Sequence, residues 1–472
     1  MNRRAFARIF ASSSFLQKAS GQARTSGRAR FEADWESIRQ HKVPDWYENA
    51  KLGIFIHWGL YSVPGWAPTT GELGKVDWNT WFLKNPYAEW YLNTLRLKDS
   101  PTYAYHVKTY GANFDYYRFA ETFNRETAKW DPSRWAALFR KTSARYVVLT
   151  SKHHDGFRLW PSRVANPRRK SEEISSSRDL VGELSAAVRG AGMKMGLYYS
   201  GGLDWTFADQ PIRVMGDLRK QVPQGEDYAR YADAHWTELT DRYKPSLMWN
   251  DINYPKKGDL PSLFAHYYNT VPEGVVNNRF GIEFADFTTP EYSKYDKIVE
   301  KKWESCRGLG FSFGYNRAEG PEQVIEAGKL IWLLVDIVSK NGNLLLNVGP
   351  HPDGTISAIQ TDRLEKLGAW LAVNGEGIFD SRPWVRSAAG EVRFTRRGSA
   401  VYAFVEKLGT GTVTIPGVIA AEGSKVRMLG SAADSQWQQR GRDLAVSVPA
   451  AVNPEFAAAF RITPEPWQVV KS

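Results

Sequence analysis

The chain has 472 residues, 42% of them hydrophobic and 24% charged, with a single cysteine. That length exceeds one ordinary domain and the composition is globular, which excludes a disordered, collagen-like or disulfide-stapled chain and any multi-cysteine zinc or iron–sulfur site. The net charge of +11 points to nucleic acid only until it is located: seven of those charges (Arg3, Arg4, Arg8, Lys18, Arg24, Arg28 and Arg30) fall in residues 1–30 with no acid among them, leaving +4 for the rest, so no nucleic-acid partner is expected.

In chain order the first segment is that basic leader, residues 1–30. Paired Arg3 and Arg4, then Phe6, then a weakly apolar, serine-rich stretch ending in small residues resemble a twin-arginine export signal. On that reading the mature chain starts near residue 25 and works in the periplasm or outside the cell. As a plain basic leader, the same residues leave the protein cytoplasmic. No run of 18 apolar residues exists, so no membrane span is expected.

From about residue 40 to 375, short apolar runs alternate with amphipathic stretches. The runs are 53-GIFIHWG, 145-RYVVLTSKHHDG, 193-MKMGLYYSGG, 246-SLMWND, 274-GVVNN and 343-NLLLNVGP. They are continuous rather than alternating in polarity, as strands covered on both faces are. Between them, 132-PSRWAALFRK, 178-RDLVGELSAAVRGAG and the stretches near 226–242, 321–340 and 358–373 have helical periodicity. The order predicts a (β/α)8-type barrel over residues 31–377. A doubly wound sheet would place a glycine-rich phosphate loop after the first strand, and none is present. Beyond residue 378 the segments 391-EVRFTRRG, 400-AVYAFVEK, 411-GTVTIPG, 425-KVRMLG, 443-DLAVSVP and 458-AAFRIT predict a small antiparallel β-sandwich over 378–472.

Barrel enzymes work at the rim where the strands end. Here the runs end in His57-Trp58, in Lys152-His153-His154-Asp155, in Tyr198-Tyr199-Ser200-Gly201-Gly202 and in Trp249-Asn250-Asp251. A carboxylate directly after Leu-Met-Trp is expensive to bury without a partner or a purpose. No G-x-S-x-G elbow supports acyl transfer, and no Walker or kinase loop supports phosphoryl transfer. His57, His153, His154 and Asp155 are metal-ligand types, but consecutive residues of a strand point to opposite faces, so no metal and no cofactor is expected. What remains is a pair of carboxylates acting on a sugar, among His and Trp side chains that suit hydroxyls and ring faces.

Those strings resemble the α-L-fucosidases of glycoside hydrolase family 29. The matching stretches are 46-WYENAKLGIFIHWGLYSVPGW, 88-AEWY, 105-YHVKTYG, 151-SKHHDGFRLW, 197-LYYSGGLDW, 248-MWND, 288-TTPEY, 303-WESCRGLGFSFGYN and 338-VSKNGNLLLNVGPHPDGTI, in the family's order over about 46–356. The resemblance implies that Asp251 is a catalytic nucleophile and Glu291 the acid/base, with Glu304 and Glu283 as rivals for the second role. It implies sugar contacts at His57, Glu89, Trp90, His153, His154, Tyr198, Trp249 and Arg279, and packing of the C5 methyl group against Phe55 and Phe313. It also implies double displacement with retained anomeric configuration, for which the two carboxyl groups stand about 5–5.5 Å apart. The expected partner is a fucosylated glycan. Another α-linked L-sugar or a close isostere, or a fucose-binding homologue without activity, remain as alternatives. Leaving-group contacts are expected from loops such as 61–87 and 205–224; the sequence is silent on oligomeric state.

Overall fold

Runs of branched and aromatic residues become a parallel sheet here because both of their faces are covered. The computed structural model describes residues 30–449 and 454–468; residues 1–29, which hold nearly all of the leader, lie outside them. The strands are β1 (Leu52–Ile56), β2 (Tyr146–Lys152), β3 (Lys194–Tyr199), β4 (Leu247–Asn250), β5 (Val275–Val276), β6 (Trp303–Gly308) and β7 (Gly342–Val348). They pair in the order β5-β4-β3-β2-β1-β7-β6, and every pairing is parallel. In β1, β2 and β7 every residue is buried.

The ring closes without an eighth ladder. Residues 287–291 run between β5 and β6 and make isolated parallel bridges, Asn277 to Phe287 on one side, Thr288 to Trp303 and Glu291 to Cys306 on the other. Regular pairing fails there for a local reason: the Thr289 N–H donates to Asn278 Oδ1, and Pro290 has no N–H to give.

Helices Pro132–Lys141, Leu180–Gly190, Glu226–Tyr243, Ala327–Ser339 and Ala358–Asn374 follow their strands as barrel alternation requires. The first begins with Pro132 at its opening position, and Asp131 caps it by accepting the Ser133 N–H at 2.9 Å. Among the described residues no helix is long and apolar enough to cross a membrane.

After a short 3-10 turn at Gly375–Gly377 the chain enters antiparallel sheet. Strands β8 (Arg382–Ala389), β9 (Val392–Arg397), β10 (Ala400–Val405), β13 (Lys425–Met428) and β16 (Ala458–Thr463) form one sheet, and β11 (Thr412–Ile415), β14 (Trp437–Arg440) and β15 (Asp443–Ser447) a second. The short β12 (Val418–Ile419) pairs with β17 (Trp467–Gln468). Strand β10 shows how this sandwich meets the barrel. Val401, Ala403 and Val405 pack into the sandwich core, whereas Ala400, Tyr402 and Phe404 pack into the barrel core. Period-2 alternation therefore buries both faces of one strand in two different cores. The Trp370 indole N–H seals the junction by donating to the Ala457 carbonyl at 2.6 Å.

Candidate active site

Phe55 and His57 are two residues apart at the end of β1, so they face the same side of the barrel; Trp249 and Asp251 repeat the arrangement at the end of β4. Tyr198 is the last residue but one of β3, Arg279 follows β5, Glu291 sits in the closing segment and Phe313 follows β6. With Glu89, Trp90, His153 and His154 they line one open cavity of about 190 Å3. Every site residue expected from the sequence lines it except the two rivals for the acid/base role, Glu304 and Glu283. Glu283 is exposed and outside it.

One expectation is corrected. His153 and His154 do not point to opposite faces: both line the cavity, with ring centroids 4.1 Å apart. Strand β2 ends at Lys152 after an irregularity in its register, and the chain turns through the histidines, so strand alternation no longer applies. No cluster of three or more His, Cys, Asp or Glu side chains able to hold a metal ion occurs among the described residues.

The two carboxyl groups share one cation. Arg279 Nη1 donates to Asp251 Oδ1 at 2.9 Å, and its Nη2 lies 2.9 Å from Glu291 Oε2. The guanidinium is steered by its own contacts, with Nε on Thr289 Oγ1 at 3.0 Å and the indole of Trp249 4.5 Å from its centre. Asp251 is 8% exposed and accepts two further hydrogen bonds, from the Ile252 N–H at 3.0 Å and from the Tyr198 hydroxyl at 3.1 Å. Glu291 Oε1 accepts from the Tyr87 hydroxyl at 2.8 Å.

Each acid is followed by a residue in left-handed backbone, Ile252 at φ 50° and Tyr292 at φ 47°. For a β-branched residue such as Ile252 that conformation costs about 1–3 kcal/mol, and it persists because neighbours fix it. Gly202 is one of them. Its N–H donates to the Asp251 carbonyl at 3.0 Å, and a Cβ at that position would lie 1.4 Å from the Ile252 carbonyl oxygen. The second glycine of YYSGG thus lets β3 approach the turn that carries Asp251.

Burial sets the charge of the surrounding groups. It lowers His57 to about 3 and His154 to about 4, and carries His153 well below its ordinary value, so all three are neutral near pH 7. It raises Glu89 to about 8 despite the Gly314 N–H that donates to Oε2 at 2.7 Å. Glu89 therefore holds a proton at neutral pH.

Glu304, the main alternative to Glu291, lies one layer below the cavity and is fully buried. Its oxygens accept from the Tyr47 hydroxyl at 2.9 Å, the Tyr146 hydroxyl at 2.5 Å and the Trp249 indole N–H at 3.0 Å. It holds the indole from beneath and has no path to a ligand.

Other lining residues escaped the sequence reading. Leu73, Trp78, Trp81, Phe82 and Tyr87 come from the 61–87 loop, and Met215 and Leu218 from the 205–224 loop. Trp78 and Met215 stand at the mouth, 43% and 41% exposed. The loops were singled out in the sequence, but which of their residues face the rim follows only from how they fold over it.

A parallel barrel that holds two acids at its rim, within a pocket walled by aromatic rings and neutral imidazoles, defines a glycoside hydrolase. Comparisons with known proteins narrow this. Residues 18–376 match the alpha-L-fucosidase family model. Human tissue alpha-L-fucosidase is 33% identical over 471 residues, covering 95% of each chain, and an alpha-L-fucosidase of Dictyostelium discoideum is 34% identical over 81% of this chain and 82% of its own. The crystal structure of Thermotoga maritima alpha-fucosidase in complex with fucose superposes with a TM-score of 0.84 at 44% identity, over 92% of this chain and all of that one. The chain belongs to the α-L-fucosidase family, family 29 of the glycoside hydrolases.

Proposed function

We propose that the protein hydrolyses terminal α-L-fucosides with retention of configuration, Asp251 acting as nucleophile and Glu291 as general acid and then general base. One observation carries this assignment: a single guanidinium, Arg279, holds an oxygen of each carboxyl group, so both acids face one space. Asp251 attacks C1 of the sugar and forms an ester bond as the C1–O bond to the leaving group breaks. Glu291 gives its proton to the departing oxygen. A water then attacks C1, Glu291 takes the proton from it, and the ester bond breaks to restore the Asp251 carboxylate and release L-fucose. Esterification also removes the charge of Asp251. Arg279 is then left facing Glu291 alone.

The surroundings suit this sugar. Phe55 and Phe313, with ring centroids 6.3 Å apart, offer apolar contact to a C6 that carries no hydroxyl. A hexose with a hydroxyl there would leave it unpaired, a discrimination of about 1–3 kcal/mol. Trp249, stacked 5.5 Å from Tyr198, lines the pocket beside it and offers a flat apolar face to a terminal sugar. The leaving group, the remainder of a fucosylated glycan, lies toward Trp78 and Met215 at the open end.

Proton NMR of the first product anomer, on a panel of aryl α-L-fucosides and α-galactosides, tests the reading. The α anomer is expected first, with fucoside turned over faster than galactoside. Asp251→Gly should lose about three or more orders of magnitude in kcat, and added azide should restore turnover as a fucosyl azide. A β anomer as the first product, or near-normal rates without Asp251, overturns it.

A further inference from the structure

Two residues of the sequence strings have no part in the chemistry above, Ser200 of YYSGG and Asn347 of NVGP. Both are buried, 0% and 1% exposed, and each touches the inner nitrogen of a histidine in the sugar pocket. His57 Nδ1 lies 2.7 Å from Asn347 Oδ1. Which end of that amide faces the ring is settled on its far side. Asn347 Nδ2 donates to the Phe313 carbonyl at 2.6 Å, and a carbonyl only accepts. The amide oxygen therefore faces His57, and Nδ1 must bear the proton. His154 Nδ1 lies 2.6 Å from Ser200 Oγ, which is itself 2.6 Å from the Leu203 carbonyl. The hydroxyl has one hydrogen, and an O···O contact of that length without one is repulsive. The hydrogen goes to Leu203, so Ser200 accepts from His154 Nδ1.

We infer that Asn347 and Ser200 are positioning residues that lock His57 and His154 as Nδ1–H tautomers, so that both rings present Nε2 to the ligand as a bare acceptor. His57 Nε2 has no hydrogen-bond partner among the described residues, and its ring lines the cavity. His154 Nε2 lies 3.8 Å from Asp251 Oδ2, beyond hydrogen-bond distance. The locked pair demands that two ligand substituents donate, which hydroxyls do and carbonyl oxygens or fluorine do not. His153 is the contrast: its buried Nδ1 has no partner among the described residues, so nothing fixes its tautomer. The low proton affinity of His57 and His154 is consistent with rings that work as neutral acceptors.

This deepens the reading of the pocket as a fucose site and rests on it only for the probe. In the free protein, long-range proton–nitrogen-15 NMR of labelled histidine reads each tautomer directly, and Nδ1–H is expected for His57 and His154. Competitive inhibition by L-fucose and by its monofluorinated analogues, substituted at each ring hydroxyl outside C1, reads the consequence. Fluorine at two positions should weaken inhibition about tenfold. In Ser200→Ala the lock on His154 is gone and its Nε2 can carry a proton; one of those two penalties should fall to about threefold or less, and the His154 signal should move toward Nε2–H. A purely structural Ser200 would weaken every analogue alike. Nε2–H on either ring of the free wild-type protein overturns the inference, whether or not the variant folds and whether or not the protein cleaves fucosides. A folded Ser200→Ala with both penalties unchanged overturns it as well.

Discussion

Glu291 and Glu304 both neighbour Cys306, yet they meet opposite environments. Glu291 bridges to Cys306 from the closing segment and opens on the cavity. Glu304 lies two residues earlier on β6, one layer deeper by roughly 7 Å, with three donors on its oxygens. Glu291→Ala should therefore slow substrates with poor leaving groups by about 10²–10⁴ in kcat while sparing activated aryl fucosides, because only the former need a proton in the transition state. Glu304→Gln should slow both classes alike. Its amide oxygen would stay on the Trp249 indole N–H and its NH2 would face the Tyr47 and Tyr146 hydroxyls, which lose their shared acceptor, at a cost of about 1–3 kcal/mol in urea unfolding. A leaving-group dependence in Glu304→Gln would exchange the two roles. At this scale much was legible, because a residue at a strand end must face the rim, as His57, Tyr198 and Asp251 do. The double hold of Arg279 was not: it depends on Thr289 and Trp249 aiming the guanidinium, and no spacing along the chain encodes that. Tyr87, the other partner of Glu291, was hidden within a loop.

Helix Ala327–Ser339 ties three parts of the fold through one side chain. Asp336 is fully buried and meets Lys294, from the stretch after Glu291, at 2.6 Å, Lys340 at 2.7 Å and Arg393 of β9 at 2.5 Å. Burial opposes its ionisation, but the hydrogen bonds from these three cations outweigh it and bring Asp336 down to about 2. Asp336→Asn would leave the cations around an uncharged amide. Lys294 is 41% exposed and can swing into water, so the loss should fall at the lower end of the ~3–5 kcal/mol for a broken buried pair. Calorimetry of the variant checks this, and a change under about 1 kcal/mol would mean that the cluster adds nothing to stability. The same elements show what patterning conveys. β1, β2 and β7 were plain because every residue on both faces is buried. β6, reading Trp-Glu-Ser-Cys-Arg-Gly, passed unnoticed although five of its six residues are buried. Its polar groups are accommodated by partners from elsewhere in the chain, Glu304 by two tyrosines and a tryptophan, and Ser305 by the Ser293 carbonyl at 2.8 Å. Hydropathy along the strand cannot reveal such partners. Segment 287–291 escaped for a related reason, since it closes the barrel by single bridges and has no strand pattern of its own.

Across the whole molecule, the buried ionisable groups set opposing demands on stability. Burial keeps His57, His153, His154 and His235 neutral, with affinities for protons below the ordinary value near 6.5. As pH falls from about 6.5 toward 4, the unfolded chain takes up protons that the folded one refuses, and stability is lost. Burial also raises Asp155 to about 6, Glu304 to about 7 and Glu89 to about 8, far above their ordinary values near 4. As pH rises from about 4.5 toward 8, the unfolded chain gives up protons that the folded one retains, and stability is again lost. Between about 4.5 and 6.5 the two sets oppose each other and the melting temperature should change little. Above 6.5 the unfolded histidines are already neutral, and the raised acids lower stability as pH rises through 8, while buried Lys51 and Lys302, whose proton affinity burial lowers, act in the opposite sense. Each proton retained by the native state contributes a slope of about −1.4 kcal/mol per pH unit, so Glu89 alone should remove roughly 1–2 kcal/mol between pH 6.5 and 8. Glu89→Gln holds no such proton, and its melting temperature should decline less over that interval than that of the wild type. Scanning calorimetry from pH 4.5 to 8.5 on both proteins measures the difference; a Glu89→Gln curve parallel to that of the wild type would show that Glu89 is already ionised in the folded state.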